Sequence, residues 1–427
     1  MMRSRNSLVI LVIAISYPWV MGLTLMAKPV NFLFADDWLV SEYLNPQSDF
    51  SMIDLGQLVN GHNLMSTKIE LIILSRLVSE HTLLVFAILN IIAATVACIL
   101  ILTNKKCETR NTIALIGAIV VFFNFKQTQN FSMIISAHFI HSILAISSYL
   151  YLKNGRRESL RLIPLIISPF TGAMGLSVLG IELLQLFKER KVRSPLNTGI
   201  ISLTIFFVFM FSYGINLLTL NQISNPGYLT LQERTSLILG HPQIILNYLL
   251  STLGGQFFPS SRFSVQGSQF FGLCLAFLLF KSRRNILSNV LTRDLFFIGV
   301  SATLLFLISG YDGTWHGLSN AYSNRYTSGS LFLTVSLFLA IPSGERTRKT
   351  LGVYLGLSLL IIVSGLKSGS EWINIRHTQS TQLQEACKNY YGNLDQECLE
   401  QAFSRSIYSD KEEFTLKLKD FTKLHML

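Results

Sequence analysis

The chain has 427 residues, of which half are hydrophobic and 14% charged, with a net charge of +11 and a mean hydropathy of +0.44. A soluble protein of this length carries about a quarter charged residues, so the composition excludes an ordinary soluble globular protein. The positive charge invites a nucleic-acid partner, but the Lys and Arg residues sit in short clusters between apolar runs, a pattern that excludes nucleic acid and points to a lipid bilayer.

Arg3 and Arg5 precede an apolar run with no convincing small-residue cleavage site, so 7–27 reads as a retained first helix. A long polar loop, 28–81, follows. It opens with Phe34-Ala35-Asp36-Asp37-Trp38. Two carboxylates just beyond a membrane helix suit a general base acting on a lipid-borne substrate. They equally suit helix capping, since Asp accepts from free backbone N–H groups ahead of Trp38–Leu44. Both readings stay open, one Asp for each. His62 stands where it can touch a phosphate or sugar, or simply be solvated. Thr67 and Glu70 fit a capping box that starts a helix running to about Ser79. That helix is expected along the outer membrane surface, with Lys68, Ser75, Arg76 and Ser79 on one side.

Further spans are expected at about 82–102, 111–125, 132–152, 162–172, 175–187, 197–218, 266–281, 294–311, 327–342 and 350–366. This set makes eleven crossings. It places Arg3/Arg5, Lys105/Lys106/Arg110, Lys153/Arg156/Arg157/Arg161, Lys188/Arg190/Lys191/Arg193, Lys281/Arg283/Arg284/Arg293 and Arg346/Arg348/Lys349 in the cytoplasm, and the tail outside. The fold class is thus an all-α polytopic membrane protein. Residues 1–366 form a transmembrane domain and residues 367–427 an external tail.

Particular residues stand out along these spans. His138 and His141 share one helix face, better suited to a polar cavity than to a metal, since no third ligand accompanies them. Each half of Leu162–Phe187 covers roughly 18 Å of helix, too short to span, and Pro164, Pro169, Gly172 and Gly175 break it. A buried helical hairpin is expected there. Glu182 within it is either a functional carboxylate or the partner of a loop arginine. Pro242–Phe258 is expected to be re-entrant or interfacial. Arg325 opens the tenth span, where its guanidinium suits a lipid phosphate or a salt bridge to Asp312. Cys387 and Cys398 lie in the tail outside the cytoplasm, where neighbouring cysteines pair, so a disulfide is expected.

Taken together, Asp36-Asp37-Trp38 after the first span, the long loop through Gly61-His62-Asn63 to a helix bearing Arg76, Gln129-Asn130-Phe131 before the fourth span, the glycines at Gly172–Gly180, Asn324-Arg325-Tyr326 and the cysteine-bearing tail are familiar. Their order along nearly the whole chain resembles the bacterial C-fold glycosyltransferases, and among them the O-antigen-modifying glucosyltransferases of serotype-converting phages. The chain departs from that pattern at Gln129, often acidic in such enzymes, and at Asn324, often Ser or Thr.

The resemblance implies transfer of one sugar, glucose by expectation, from undecaprenyl phosphate to an O-antigen hydroxyl in the periplasm, by an enzyme of the bacterial inner membrane. Asp36 or Asp37 is expected as base. His62, Lys68, Arg76, Asn130, Arg325 and Tyr326 are expected at the substrates. No cofactor is implied, and a divalent metal has no evident ligand set. The rival readings are a transporter or lipid flippase, for which charges at the midplane would be expected, and an O-antigen polymerase, for which a large later loop rich in arginine would be.

The topology is tested by a periplasm-dependent reporter fused after Val192 and, separately, after Leu427. The first fusion should be inactive and the second active. Activity after Val192, or none after Leu427 in a stably expressed fusion, contradicts the map.

Overall fold

The computed structural model describes residues 5–28, 33, 35–59, 62–78, 81–109, 111–155, 158–189, 195–214, 236, 239–257, 264–310, 326–341, 348–387, 396–404, 412 and 414–418. Among these the chain is overwhelmingly helical, with a single two-residue ribbon, β1 (Leu58–Val59) paired antiparallel to β2 (His62–Asn63). Three helical stretches are long and apolar enough to cross a membrane: Thr82–Leu102, Val290–Leu307 and Lys349–Leu383. Six shorter apolar helices accompany them. Large apolar side chains point outward, among them Phe206, Phe211, Phe270, Phe277, Phe280 and Val363. Such a surface is costly in water and favourable in hydrocarbon.

The main core is built from α1 (Arg5–Ala27), α3 (Thr82–Leu102), α4 (Thr112–Phe122), α5 (His138–Lys153), α11 (Val290–Gly310) and α12 (Leu331–Leu339). α4 ends at Phe122, short of the expected 125. Asn124 then accepts from the Lys126 N–H and opens a turn over Phe125–Gln127. α5 starts at His138, later than the expected 132, because the chain first turns through Met133–Ala137.

The 162–187 region breaks at Pro169, Gly172 and Gly175, whereas Pro164, also expected to break it, sits in the first turn of a helix, where its missing N–H costs nothing. α6 (Leu162–Ile167) runs into a tight turn, and the backbone then passes through Gly172 at φ 139° into α7 (Leu176–Glu189). A side chain at Gly172 would be strained by its φ and would also meet the His138 ring. Glu182 is fully buried and accepts from Arg161 at 3.0 Å and from the Tyr149 hydroxyl at 2.5 Å. Of its two readings, the partner of a loop arginine is the one present. Lys153 and Asp294 close a second buried pair at 2.6 Å. Removing one partner of such a pair costs about 3–5 kcal/mol, because the other charge is stranded.

The expected capping box is absent. The loop helix, α2 (Met65–Val78), begins two residues before Thr67, and Thr67 is buried inside it. Asn63 accepts from the Met65 N–H at 3.1 Å, so the start is capped from the ribbon and Glu70 is released for another partner. α2 packs on α3 and on the 3-10 segment Ala35–Leu44.

The last helix, α13, runs unbroken from Arg348 to Cys387. Its 40 residues cover about 60 Å, twice the ~30 Å hydrocarbon thickness. It therefore carries the tail well past the end of a span. The tail joins a second core with the first loop, in which Trp38, Tyr43, Leu64, Leu71, Ile134, Leu383, Cys398, Phe414 and Leu418 are buried together. The Trp38 and Phe414 rings meet edge-on at 5.0 Å.

Pro242–Phe258 contains a helix, α9 (Pro242–Gly254), packed on α10 (Ser264–Lys281). Two glycines allow the contact. A Cβ on Gly254 would lie 1.7 Å from the Ser268 carbonyl oxygen, and one on Gly272 would lie 1.9 Å from that of Leu250. Small residues at such crossings let backbones approach closely. Gly254→Ala should force the helices apart and cost about 1–3 kcal/mol, as overpacking does. Gly352→Ala, which meets nothing within 4 Å, is the control. Thermal unfolding in detergent decides: equal melting temperatures for both variants would show that the crossing is loose.

Candidate functional site

The polar groups gather where the first loop meets the start of α5. Asp37, only 3% exposed, accepts from the Ile135 N–H at 3.0 Å. It thus fastens a backbone group 98 residues away. The carbonyl of the same Ile135 contacts His138 Nδ1. A carbonyl only accepts, so Nδ1 carries the proton there. Asp37 and His138 therefore grip both polar groups of one peptide residue. The His138 ring stacks on that of His62, with centroids 4.7 Å apart, and lies against Gly172.

β2 is held from behind. The Asn63 N–H donates to the Tyr213 hydroxyl at 3.1 Å, and Asn63 Nδ2 donates to the Ser212 carbonyl at 2.9 Å. This fixes His62 beside α5. One turn further along that helix, His141 faces α2. Its Nδ1 lies 2.9 Å from Ser66 Oγ and 3.4 Å from Thr67 Oγ1, and its Nε2 lies 2.9 Å from Glu70 Oε2. Asp37, His62, His138, His141, Ser66 and Glu70 thus form one neighbourhood. His138 and His141 both make polar contacts from α5, His138 with the Ile135 carbonyl and His141 with Ser66 and Glu70. Among the described residues no three His, Cys, Asp or Glu side chains are placed to share a metal ion.

A second polar node lies along the same stretch of chain. Asn130 Nδ2 donates to Ser328 Oγ at 2.7 Å, and Ser328 donates to Gln127 Oε1 at 3.2 Å. Ser328 belongs to the short 3-10 helix Tyr326–Ser330. Arg325 lies outside the described residues, as do the side chains of Asp36, Tyr326 and Cys387. Cys398 is buried and disulfide-bonded.

Lys68 and Arg76 are not brought together. Lys68 is buried and donates to the Asp54 and Gln57 carbonyls at 2.8 and 3.0 Å, with its ammonium 4.9 Å from the Tyr43 ring centre. Arg76 is exposed, bonded to the Ser48 carbonyl at 3.2 Å and 4.0 Å from Asp49. Nothing in the sequence reading singled out Lys126. It is fully buried in the turn after α4 and donates to the Gly255 carbonyl at 2.5 Å. Ser66 and Glu70 were also missed as site residues, Glu70 because a capping box gave it another role.

Burial disfavours both lysine charges. It lowers the Lys68 pKa to about 8 against the opposing pull of Glu42 and Asp54, and the Lys126 pKa to about 7. No protein-family model, curated protein or solved structure matches the chain.

These lysines make stability depend on pH. Between its folded pKa and the unfolded value of about 10.4, each lysine is neutral when folded and protonated when unfolded. The unfolded chain then binds more protons, so stability rises with pH. The melting temperature should climb from pH 7 to 10. Lys126→Met should remove the part of the rise that begins near pH 7, and Lys68→Met the part above pH 8. Slopes identical to those of the unmodified protein in both variants would contradict the assignment.

Proposed function

We propose that the protein is a membrane glycosyltransferase that moves one sugar, glucose in the simplest reading, from undecaprenyl phosphate to a hydroxyl of the lipopolysaccharide O-antigen, on the periplasmic face of the inner membrane. The observation that carries the proposal is a carboxylate, Asp37, and a stacked histidine pair held where the first loop meets the helices. A surface reaction on a lipid-borne donor needs its polar groups at such a rim. The order of motifs along the chain supplies the family. The described charges within the helices favour this reading over a transporter. Lys153–Asp294 and Arg161–Glu182 are closed pairs that tie helices together.

The chemistry is a single displacement. The acceptor oxygen attacks the anomeric carbon, the bond from that carbon to the phosphate oxygen breaks, and the centre inverts. The acceptor proton passes to Asp36 or Asp37. The departing phosphate monoester needs charge stabilisation, which Arg325 supplies as a two-pronged donor. Asn130 and Tyr326 are assigned to the same side of the site, a reading supported by the bond from Asn130 to Ser328, two residues after Tyr326. His62 borders the acceptor. Lys68 and Arg76 are left out of the phosphate site, since one is committed to two carbonyls and the other lies on the exposed flank of the loop. The reaction needs no cofactor.

Asp→Asn substitutions separate base from fastener. Asn keeps an oxygen for the Ile135 N–H but cannot take the acceptor proton. Asp36→Asn or Asp37→Asn, whichever removes the base, should leave a folded, inserted protein whose O-antigen modification falls about 100-fold or more. Normal modification by both single variants and the double variant would sink the assignment of the base to this pair.

A further inference from the structure

The groups around His141 form a chemical unit that sugar transfer does not use. Ser66 is the second residue of α2, a helix of 14 residues. Its Oγ lies 2.9 Å from His141 Nδ1, and Glu70, one turn further along α2, places Oε2 2.9 Å from Nε2 of the same ring. Serine hydroxyl, imidazole and carboxylate are thus in series. Glu70 Oε2 meets the distance but makes no hydrogen bond to the ring, so its contact is electrostatic. Such alignments commonly tighten only when substrate binds. Neither the imidazole nor the carboxylate is sealed, the side chains being 13% and 18% exposed, and Ser66 is also partly exposed.

A second observation is independent of these three. Backbone N–H groups in the first turn of a helix have no partner within the helix. In α2 the Met65 N–H is taken by Asn63 Oδ1 and the Lys68 N–H by the Leu64 carbonyl. The N–H groups of Ser66 and Thr67 make no hydrogen bond outside the helix among the described residues. The Thr67 N–H is buried with its residue, whereas that of the partly exposed Ser66 lies beside its own hydroxyl, at the positive end of the helix dipole, where a developing oxyanion would sit.

We propose that Ser66, His141 and Glu70 form a nucleophilic centre that accepts an acyl group from a carboxylic ester. Ser66 Oγ attacks the ester carbonyl carbon while its proton passes to His141 Nδ1. The oxyanion is held by the N–H group of Ser66 at the helix start. The carbon–oxygen bond to the alcohol then breaks, and the departing alcohol takes the proton from Nδ1. The acyl group is left on Ser66 as an ester. Water or a second hydroxyl removes it by the same steps in reverse. Glu70 stabilises the imidazolium formed in each half.

The test uses the full chain purified in detergent and a fluorophosphonate probe, which reacts with activated serines whether or not the protein transfers sugar. Intact-mass and peptide analysis should find one adduct, on Ser66. Labelling should be lost in Ser66→Ala, fall about 100-fold or more in His141→Gln and fall to a smaller extent in Glu70→Gln. Hydrolysis of p-nitrophenyl acetate and p-nitrophenyl decanoate by the same preparations separates a short acyl group from a fatty one, and Ser66→Ala should abolish whichever reaction is present. No adduct on Ser66 in the unmodified protein, or undiminished labelling of folded His141→Gln, would overturn the proposal and leave the three residues as a clamp between α2 and α5. Because the probe reads Ser66 alone, its outcome is independent of whether the chain modifies O-antigen.

Discussion

A backbone that enters hydrocarbon must satisfy its own N–H and C=O groups, since no water is there to do so. That constraint organises this molecule. It makes the apolar runs helices, and it confines irregular backbone to places that protein surrounds. The break at Gly172 is such a place. There the chain leaves one short helix and starts another against His138 and Ser142 of α5, and Thr171 bonds back to the Ser168 carbonyl at 2.6 Å. The turn at Ile135 is another, with both of its polar groups met by side chains, Asp37 and His138. The polar side chains of the candidate site are therefore also the groups that let the helices be interrupted where they are.

The same logic ties the two ends of the chain together. Trp38 belongs to the first loop and Phe414 to the tail, yet they share one buried core. The long helix α13 delivers the tail to that core, so loop and tail must lie on one side of any membrane the helices cross. The tail is then a wall of the loop domain rather than an appendage. Burial of Cys398 in this core explains what its disulfide anchors.

Much of this was legible in the sequence, and the misses have physical causes. Hydropathy alone locates Thr82–Leu102, a 21-residue run apolar enough to cross a membrane. The break in 162–187 is announced by Pro and Gly, whose backbone preferences act locally. Thr67 and Glu70 misled because a capping box is also a local pattern, and here a tertiary contact, His141, outcompetes it. Lys68 is expected at the substrates through the resemblance alone. Its actual partners, two carbonyls before β1, come from a fold of the loop that no periodicity encodes. The pairing of Asn130 with Ser328, across 198 residues, could be guessed only from the order of motifs, and that order says which segments meet without saying which atoms do.

The stretch from Asn124 to Ser142 links the two polar nodes. Its first part holds Lys126, Gln127 and Asn130, which reach toward Gly255 and Ser328. Its second part holds Ile135, His138, His141 and Ser142, which reach toward Asp37, Ser66, Glu70 and Thr171. The first part ends in a single turn of helix, Thr128–Ser132, whose Asn130 and Phe131 are fully buried. A short segment packed that tightly does not deform continuously. A shift of the Tyr326–Ser330 segment would therefore be felt at Asp37 through Asn130 and Ile135. In a transferase with its donor group near Arg325 and its base in the first loop, this rigid link would hold donor and base in register, which is what a single displacement requires.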